Sequence, residues 1–210
     1  AALEGDVGEA RDALASAASR LHAEREAAAA RVRTAVEREL VDLALASARF
    51  DVAFTPLEHI GPDGGDAIEF VFAANAGEPL RPLARVASGG ELSRVLLALV
   101  VALAGARERT ALIFDEIDTG IGGATATAVG ARIGRLAAGG QVVCVTHLAQ
   151  LASWSDRHYT LEKSERDGVT TIGVREIKGD EARAAELARM LSGESHEIAL
   201  EHARMLLRVR

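Results

Sequence analysis

Two short aliphatic runs, TALIF (Thr110 to Phe114) and QVVCVT (Gln141 to Thr146), constrain the fold of this chain more than any other feature. Neither alternates apolar with polar residues. A strand of that kind requires cover on both faces, the situation in a parallel sheet flanked by helices. The segment between the runs, ATATAVGARIGRLAA, carries its apolar residues at helical spacing, and so does GGELSRVLLALVVALAG ahead of them. The order helix, strand, helix, strand predicts an α/β fold with a mostly parallel sheet.

Around that core the chain is organised in recognisable pieces. Glu9 to about Ser47 contains neither proline nor glycine. Leu14, Leu21 and Ala28 fall seven apart, and Val32, Val36, Leu40 and Leu43 continue the stripe. This predicts one long amphipathic helix with partial heptad character, which requires a partner helix. Phe50 to Pro56 and Ala67 to Asn75 read as strands, with the turn GPDGGD (Gly61 to Asp66) between them. AGEPLRPLA then reads as a loop. After the second buried run come a short helix from about Ala149, an antiparallel pair (RHYTLEK and GVTTIGVREI), and two helices near Glu181 to Leu191 and His196 to Leu207.

Composition narrows the class. The 210 residues are 49% apolar, 26% charged and only 3% aromatic, a globular profile with an aliphatic, alanine-rich interior. The net charge of −7 argues against coating nucleic acid or an anionic membrane by bulk electrostatics. Arg204, Arg208 and Arg210 are the nearest candidate for a basic patch, and a solvated helix face is the favoured reading of them. Cys144, the only cysteine, lies in an apolar run and reads as a small packed hydrophobe in a reducing setting. No signal peptide is apparent, and the longest apolar run, from Val95, is too short to span a bilayer. The expectation is a cytoplasmic protein.

Three clusters carry possible chemistry. Asp115 and Glu116 follow the first buried strand at its carboxyl edge, where open α/β sheets bind ligands. A carboxylate there can hold Mg²⁺ beside a nucleotide phosphate, and its neighbour can orient and deprotonate a water. An ordinary acidic strand-to-loop turn has the same appearance. Thr146 and His147 end the second buried strand. A histidine there can contact a terminal phosphate, although caps and packed side chains also occur at such positions. No cysteine or histidine stands at metal-ligand spacing from it. The third cluster is SGGE, Ser88 to Glu91. Serine as N-cap with glutamate three residues on forms a capping box. Capping does not explain Gly89 and Gly90, which weaken a first turn. Their uncovered backbone N–H groups suit an anion such as phosphate.

The order of the three clusters resembles the C-terminal half of an ATP-binding-cassette head domain. That resemblance makes Ser88, Gly89, Gly90 and Glu91 the signature motif, facing ATP held by an opposite head. It makes Asp115 the Walker B aspartate for Mg²⁺, Glu116 the catalytic glutamate and His147 the switch histidine. DTGIGG, containing Asp118, Gly120, Gly122 and Gly123, corresponds to the D-loop region. Glu91 replaces the glutamine typical of transporters, which favours the SMC-like branch. GIGG replaces the usual A-L-D and leaves the role of Asp118 open. RVASGGELSR, LIFDEIDTGIGG, VTHLAQLASWSDRHY and ARMLSGESHEIALEHARMLL further resemble the bacterial RecN DNA-repair family, from about Phe50 to the end.

The resemblance implies an arm-helix fragment over residues 1–49 and the C-terminal lobe of an ATPase head over 50–210. It also implies ATP and Mg²⁺ as cofactors, a second head joined through ATP, DNA as a partner and a nucleoid-associated location, with no membrane partner. No G-x-x-x-x-G-K-[ST] loop occurs in the sequence. The main phosphate grip would therefore come from the N-terminal, Walker A half of the head, and the isolated chain is expected to be inactive. Two other readings remain: an ATPase module of another SMC or transporter type, and a non-hydrolysing structural coiled-coil protein.

Overall fold

The long helix, α1, spans Ala2–Val41 in a computed structural model that describes residues 2–85, 88–103, 111–166, 169–194 and 196–208. It begins earlier than expected, passing through Gly5 and Gly8, and stops short of Ser47. The stop has a local cause. The N–H groups of Leu43 and Leu45 both donate to the carbonyl of Leu40, at 3.0 and 3.1 Å, and Ala44 takes a left-handed φ of 58°. This is a Schellman-type ending with alanine where glycine is usual. Leu40, Leu43 and Leu45 are buried, so apolar packing holds a backbone conformation that alanine by itself disfavours.

The chain divides into two compact units, Ala1–Ala106 and Arg107–Arg210. In the first, β1 (Arg49–Gly61) and β2 (Gly64–Ala73) form the expected antiparallel hairpin. Pro56 sits on the outer strand, where a missing N–H is tolerated, and the register shifts between Pro56 and Gly61. The segment read as a plain loop instead adds a two-residue strand, β3 (Arg81–Pro82), and a 3₁₀ turn at Leu83–Arg85. The helix after the glycine pair, α2, covers Gly89–Ala102. The core joins Val36 and Leu40 of α1, Phe50 and Phe72 of the hairpin, and Val95, Leu97 and Ala98 of α2. The C-terminal half of α1 therefore has its partners in the hairpin and α2. Leu3, Val7 and Leu14, on its other half, stay exposed.

In the second unit β4 (Ala111–Phe114) and β5 (Gln141–Cys144) pair in parallel, with α3 (Gly123–Ala137) between them in sequence. The parallel sheet is as expected; full cover on both faces is not. Phe114 is buried, whereas Ile113 is 75% exposed and its same-face neighbours Val143 and Val145 are also exposed. Next come α4 (Ala149–Ala152) and the antiparallel pair β6 (His158–Arg166) and β7 (Val169–Ile177). The chain closes with α5 (Asp180–Ser192) and α6 (Glu197–Arg208). Ala149, Ala152, Ala184, Leu187, Ala188, Ala199 and Ala203 form one cluster, where small side chains let α4, α5 and α6 approach closely. Val86 and Ala87 before the glycine pair, Ala104 and Gly105 at the expected end of the apolar helix, Thr110, Gly168, Ser195 and Arg210 lie outside the described residues.

Candidate active site

Register places the two chemically loaded strand ends side by side. Phe114 of β4 pairs with Cys144 of β5, and the Val145 N–H donates to the Phe114 carbonyl at 3.0 Å, one step beyond the strand. Asp115 and Glu116 leave from one end, and Thr146 and His147 from its neighbour. Both groups sit at the carboxyl edge of the parallel pair, where α/β sheets gather ligands.

The turn after β4 is unusual at its second residue. Glu116 has φ 57°, a left-handed conformation that costs a non-glycine residue about 1–3 kcal/mol and persists only where surroundings impose it. Its N–H donates to Oδ1 of Asp115 at 2.9 Å, and its carbonyl accepts from the Thr119 N–H at 3.1 Å. Ile117, fully buried, anchors the turn below. The result is two adjacent carboxylates, Asp115 and Glu116, both exposed at the strand end. Gly120 (φ 76°) in the following loop and Gly123 (φ 51°) at the start of α3 occupy the left-handed region, which glycine adopts without strain. Gly122 is extended and caps α3 without a side-chain bond.

Asp118 is the least expected member. It is 4% exposed, and its Oδ2 accepts from Thr146 Oγ1 at 2.5 Å and from the His147 N–H at 2.8 Å. The same oxygen lies 2.9 Å from His147 Nδ1, and the histidine side chain is 73% exposed. Thr146 Oγ1 in turn accepts from the Leu148 N–H at 3.0 Å. Sequence reading had no signal for this tie, because the partners lie far apart in the chain. Cys144, beneath the site, has its thiol pushed up to about 12 by burial, reinforced by Asp118 and Asp115. It is a packed, unreactive thiol, as its apolar run implied.

Ser88, Gly89, Gly90 and Glu91 belong to the other unit. Ser88 caps α2, its Oγ accepting from the Glu91 N–H at 3.4 Å. Both glycines are helical, so neither is needed for a positive φ. Gly89 is exposed and Gly90 is buried, which leaves Gly89 as the one with an open approach. Among the described residues no group of three or more His, Cys, Asp or Glu side chains is arranged to hold a metal ion. No described helix is long and apolar enough to cross a membrane.

Fold and site together define an α/β protein with a long helical extension, its polar residues converging at the carboxyl ends of a parallel strand pair. The chain is 45% identical to the DNA repair protein RecN of Treponema pallidum (strain Nichols) over 214 aligned positions, covering 99% of this chain and 37% of that protein. It is 48% identical to the RecN of Deinococcus radiodurans over 166 positions, covering 79% of this chain and 29% of that one. The chain belongs to the RecN family, and it spans about a third of the length of these relatives. Among solved structures, a Smc head domain with an extended coiled coil from Pyrococcus furiosus matches with a TM-score of 0.48 and 21% identity, over 69% of this chain and 34% of that one. No protein-family model matches the chain.

Proposed function

We propose that this chain is part of the ATP-hydrolysing head of a DNA repair protein. It would supply the hydrolytic carboxylate, the metal aspartate, the histidine and the signature helix start, while another part of the protein supplies the main phosphate grip. The observation that carries the reading is the β4–β5 edge. One strand end presents two adjacent carboxylates, the next presents an exposed histidine, and the hydrogen bonds of Asp118 join the two loops.

Within that reading each residue has a task. Asp115 holds Mg²⁺, a hard cation that usually takes only one or two protein carboxylates together with phosphate and water oxygens. The two exposed carboxylates at this edge fit that use. Mg²⁺, when bound, would neutralise charge on the phosphates. Glu116 orients and deprotonates the attacking water. His147 contacts the terminal phosphate. Ser88, Gly89, Gly90 and Glu91 would face ATP on a second copy of the head, so that ATP joins two heads. DNA as a partner rests on the repair proteins to which this chain is related.

The exposed apolar face of Ile113, Val143 and Val145 supports an incomplete head. A parallel strand pair this apolar is stable only when covered, and the N-terminal half of the same head is the proposed cover. The isolated chain should bind ATP weakly and hydrolyse none. Co-expression with the remainder of the protein should restore hydrolysis, measured as phosphate release. Robust hydrolysis by the isolated chain would overturn the proposal.

A further inference from the structure

We infer that the β1–β2 turn is a clasp for α1. It sets the direction in which the N-terminal half of that helix projects from the first unit, and it loosens as pH rises. Residues 3–20 of α1 are exposed apart from a half-buried Ala18, and burial along the helix begins at Leu21 and His22. At that point the turn closes on the helix. Nδ1 of His22 is hydrogen-bonded to Oδ2 of Asp66 at 2.9 Å, and Arg25 Nη1 donates to the Asp63 carbonyl at 2.7 Å. Gly64, between those two turn residues, is buried with a φ of 99°. A Cβ built there would lie 3.0 Å from both Leu21 Cδ2 and Arg25 Nη1, so only a residue without a side chain lets the turn come this close. The His22 ring also meets Phe54 of β1 edge-on, with 5.6 Å between centroids.

Position gives these contacts leverage. The buried anchor Val36 lies about 21 Å along the helix from His22, and the exposed part reaches about 28 Å the other way. A shift at the clasp is therefore roughly doubled at the far end. Charge makes the clasp adjustable. The charged groups facing His22 are Asp66 from the hairpin and Glu26 from its own helix, whose Oε1 is 3.6 Å from Nε2; Phe54 brings no charge. The bond to Asp66 raises the pKa of the ring, and the charges of both carboxylates add to it against some desolvation. Below about pH 6.5 the bond is charge-assisted, and such bonds are roughly twice as strong as neutral ones. As pH rises through the raised folded value the ring loses its charge, and a weaker neutral bond remains. The inference concerns the direction of α1 and does not depend on ATP hydrolysis.

Distances between nitroxide labels test it, in the full-length protein that carries this chain, cleared of other accessible cysteines. Ala13→Cys on the projecting half and Glu69→Cys on β2 are exposed attachment points. Pulsed electron paramagnetic resonance should give one narrow distance at about pH 6 and a broader distribution at about pH 9, either side of the raised His22 value. Arg25→Ala should lose the narrow distance at both pH values. His22→Gln should make the width independent of pH, because glutamine still donates to Asp66 but carries no charge. A control pair, Arg38→Cys with Glu69→Cys, lies within the anchored part and should stay narrow throughout. Equal widths at both pH values and in Arg25→Ala would overturn the clasp. Broadening of the control pair would overturn it too, since the whole unit would then be loosening. A pH response that survives in His22→Gln would show that another group titrates and would remove His22 from the device.

Discussion

A methyl group has no room at Gly130. A Cβ built there would lie 2.2 Å from Cδ1 of Trp154, and one at Gly134 would lie 3.2 Å from Cε3 of the same indole. Two glycines one turn apart on α3 thus form a seat for the chain's single tryptophan, and a Cβ at Gly130 would force the indole to move. Alanine normally favours a helix over glycine by about 1 kcal/mol; here overpacking should outweigh that gain. Gly130→Ala is expected to destabilise the unit by about 2 kcal/mol net, read from urea unfolding followed by Trp154 fluorescence. An unchanged or higher midpoint would mean that the indole moves freely. Glu116 shows the converse case, a side chain kept where glycine would be easier. Its left-handed φ of 57° could not have been read from the sequence, in which Asp-Glu after an aliphatic run looks like an ordinary turn.

At the scale of elements, the parallel order of β4 and β5 was legible because uninterrupted aliphatic runs have few other uses. Ser88 was legible as the cap of α2 for the same local reason. The end of α1 was not, since the apolar stripe continues through Leu43 while the backbone turns at Ala44. The tie from Asp118 to His147 and the Trp154 seat were equally hidden, because both depend on residues brought together only by the fold.

Two histidines make the element contacts depend on pH in opposite directions. His22 of α1 is 2.9 Å from Asp66 at the base of the β1–β2 turn. That hydrogen bond raises its pKa, against some desolvation and with help from the charges of Asp66 and Glu26. Its contribution is full below about pH 6.5 and is lost as pH rises through the raised folded value. His158, at the start of β6, has its pKa lowered chiefly by burial and further by Arg183, against the pull of Glu186. Its contribution is full above about pH 6.5 and is lost on acidification. Between about pH 8 and pH 5.5, the Trp154 unfolding midpoint should fall. The helix signal from α1 in far-ultraviolet circular dichroism should become more resistant to melting over the same range. His22→Gln should flatten the second trend and leave the first; parallel trends in both signals would contradict these assignments.

At the scale of the whole molecule, the signature-type helix start lies in one compact unit, and the carboxylates and histidine lie in the other. The chain matches about a third of the length of its RecN relatives, and it leaves apolar surface exposed on β4 and β5 and on the first half of α1. These features fit a piece of a larger machine better than a self-sufficient enzyme. The central claim is that Glu116 is the group that activates water in a head completed by the rest of the protein. Its most direct test is Glu116→Gln in the full-length protein, with oligomeric state followed by light scattering in the presence of ATP and Mg²⁺. The account predicts that hydrolysis is abolished while an ATP-dependent dimer accumulates and persists. Hydrolysis at the wild-type rate by that variant would contradict it.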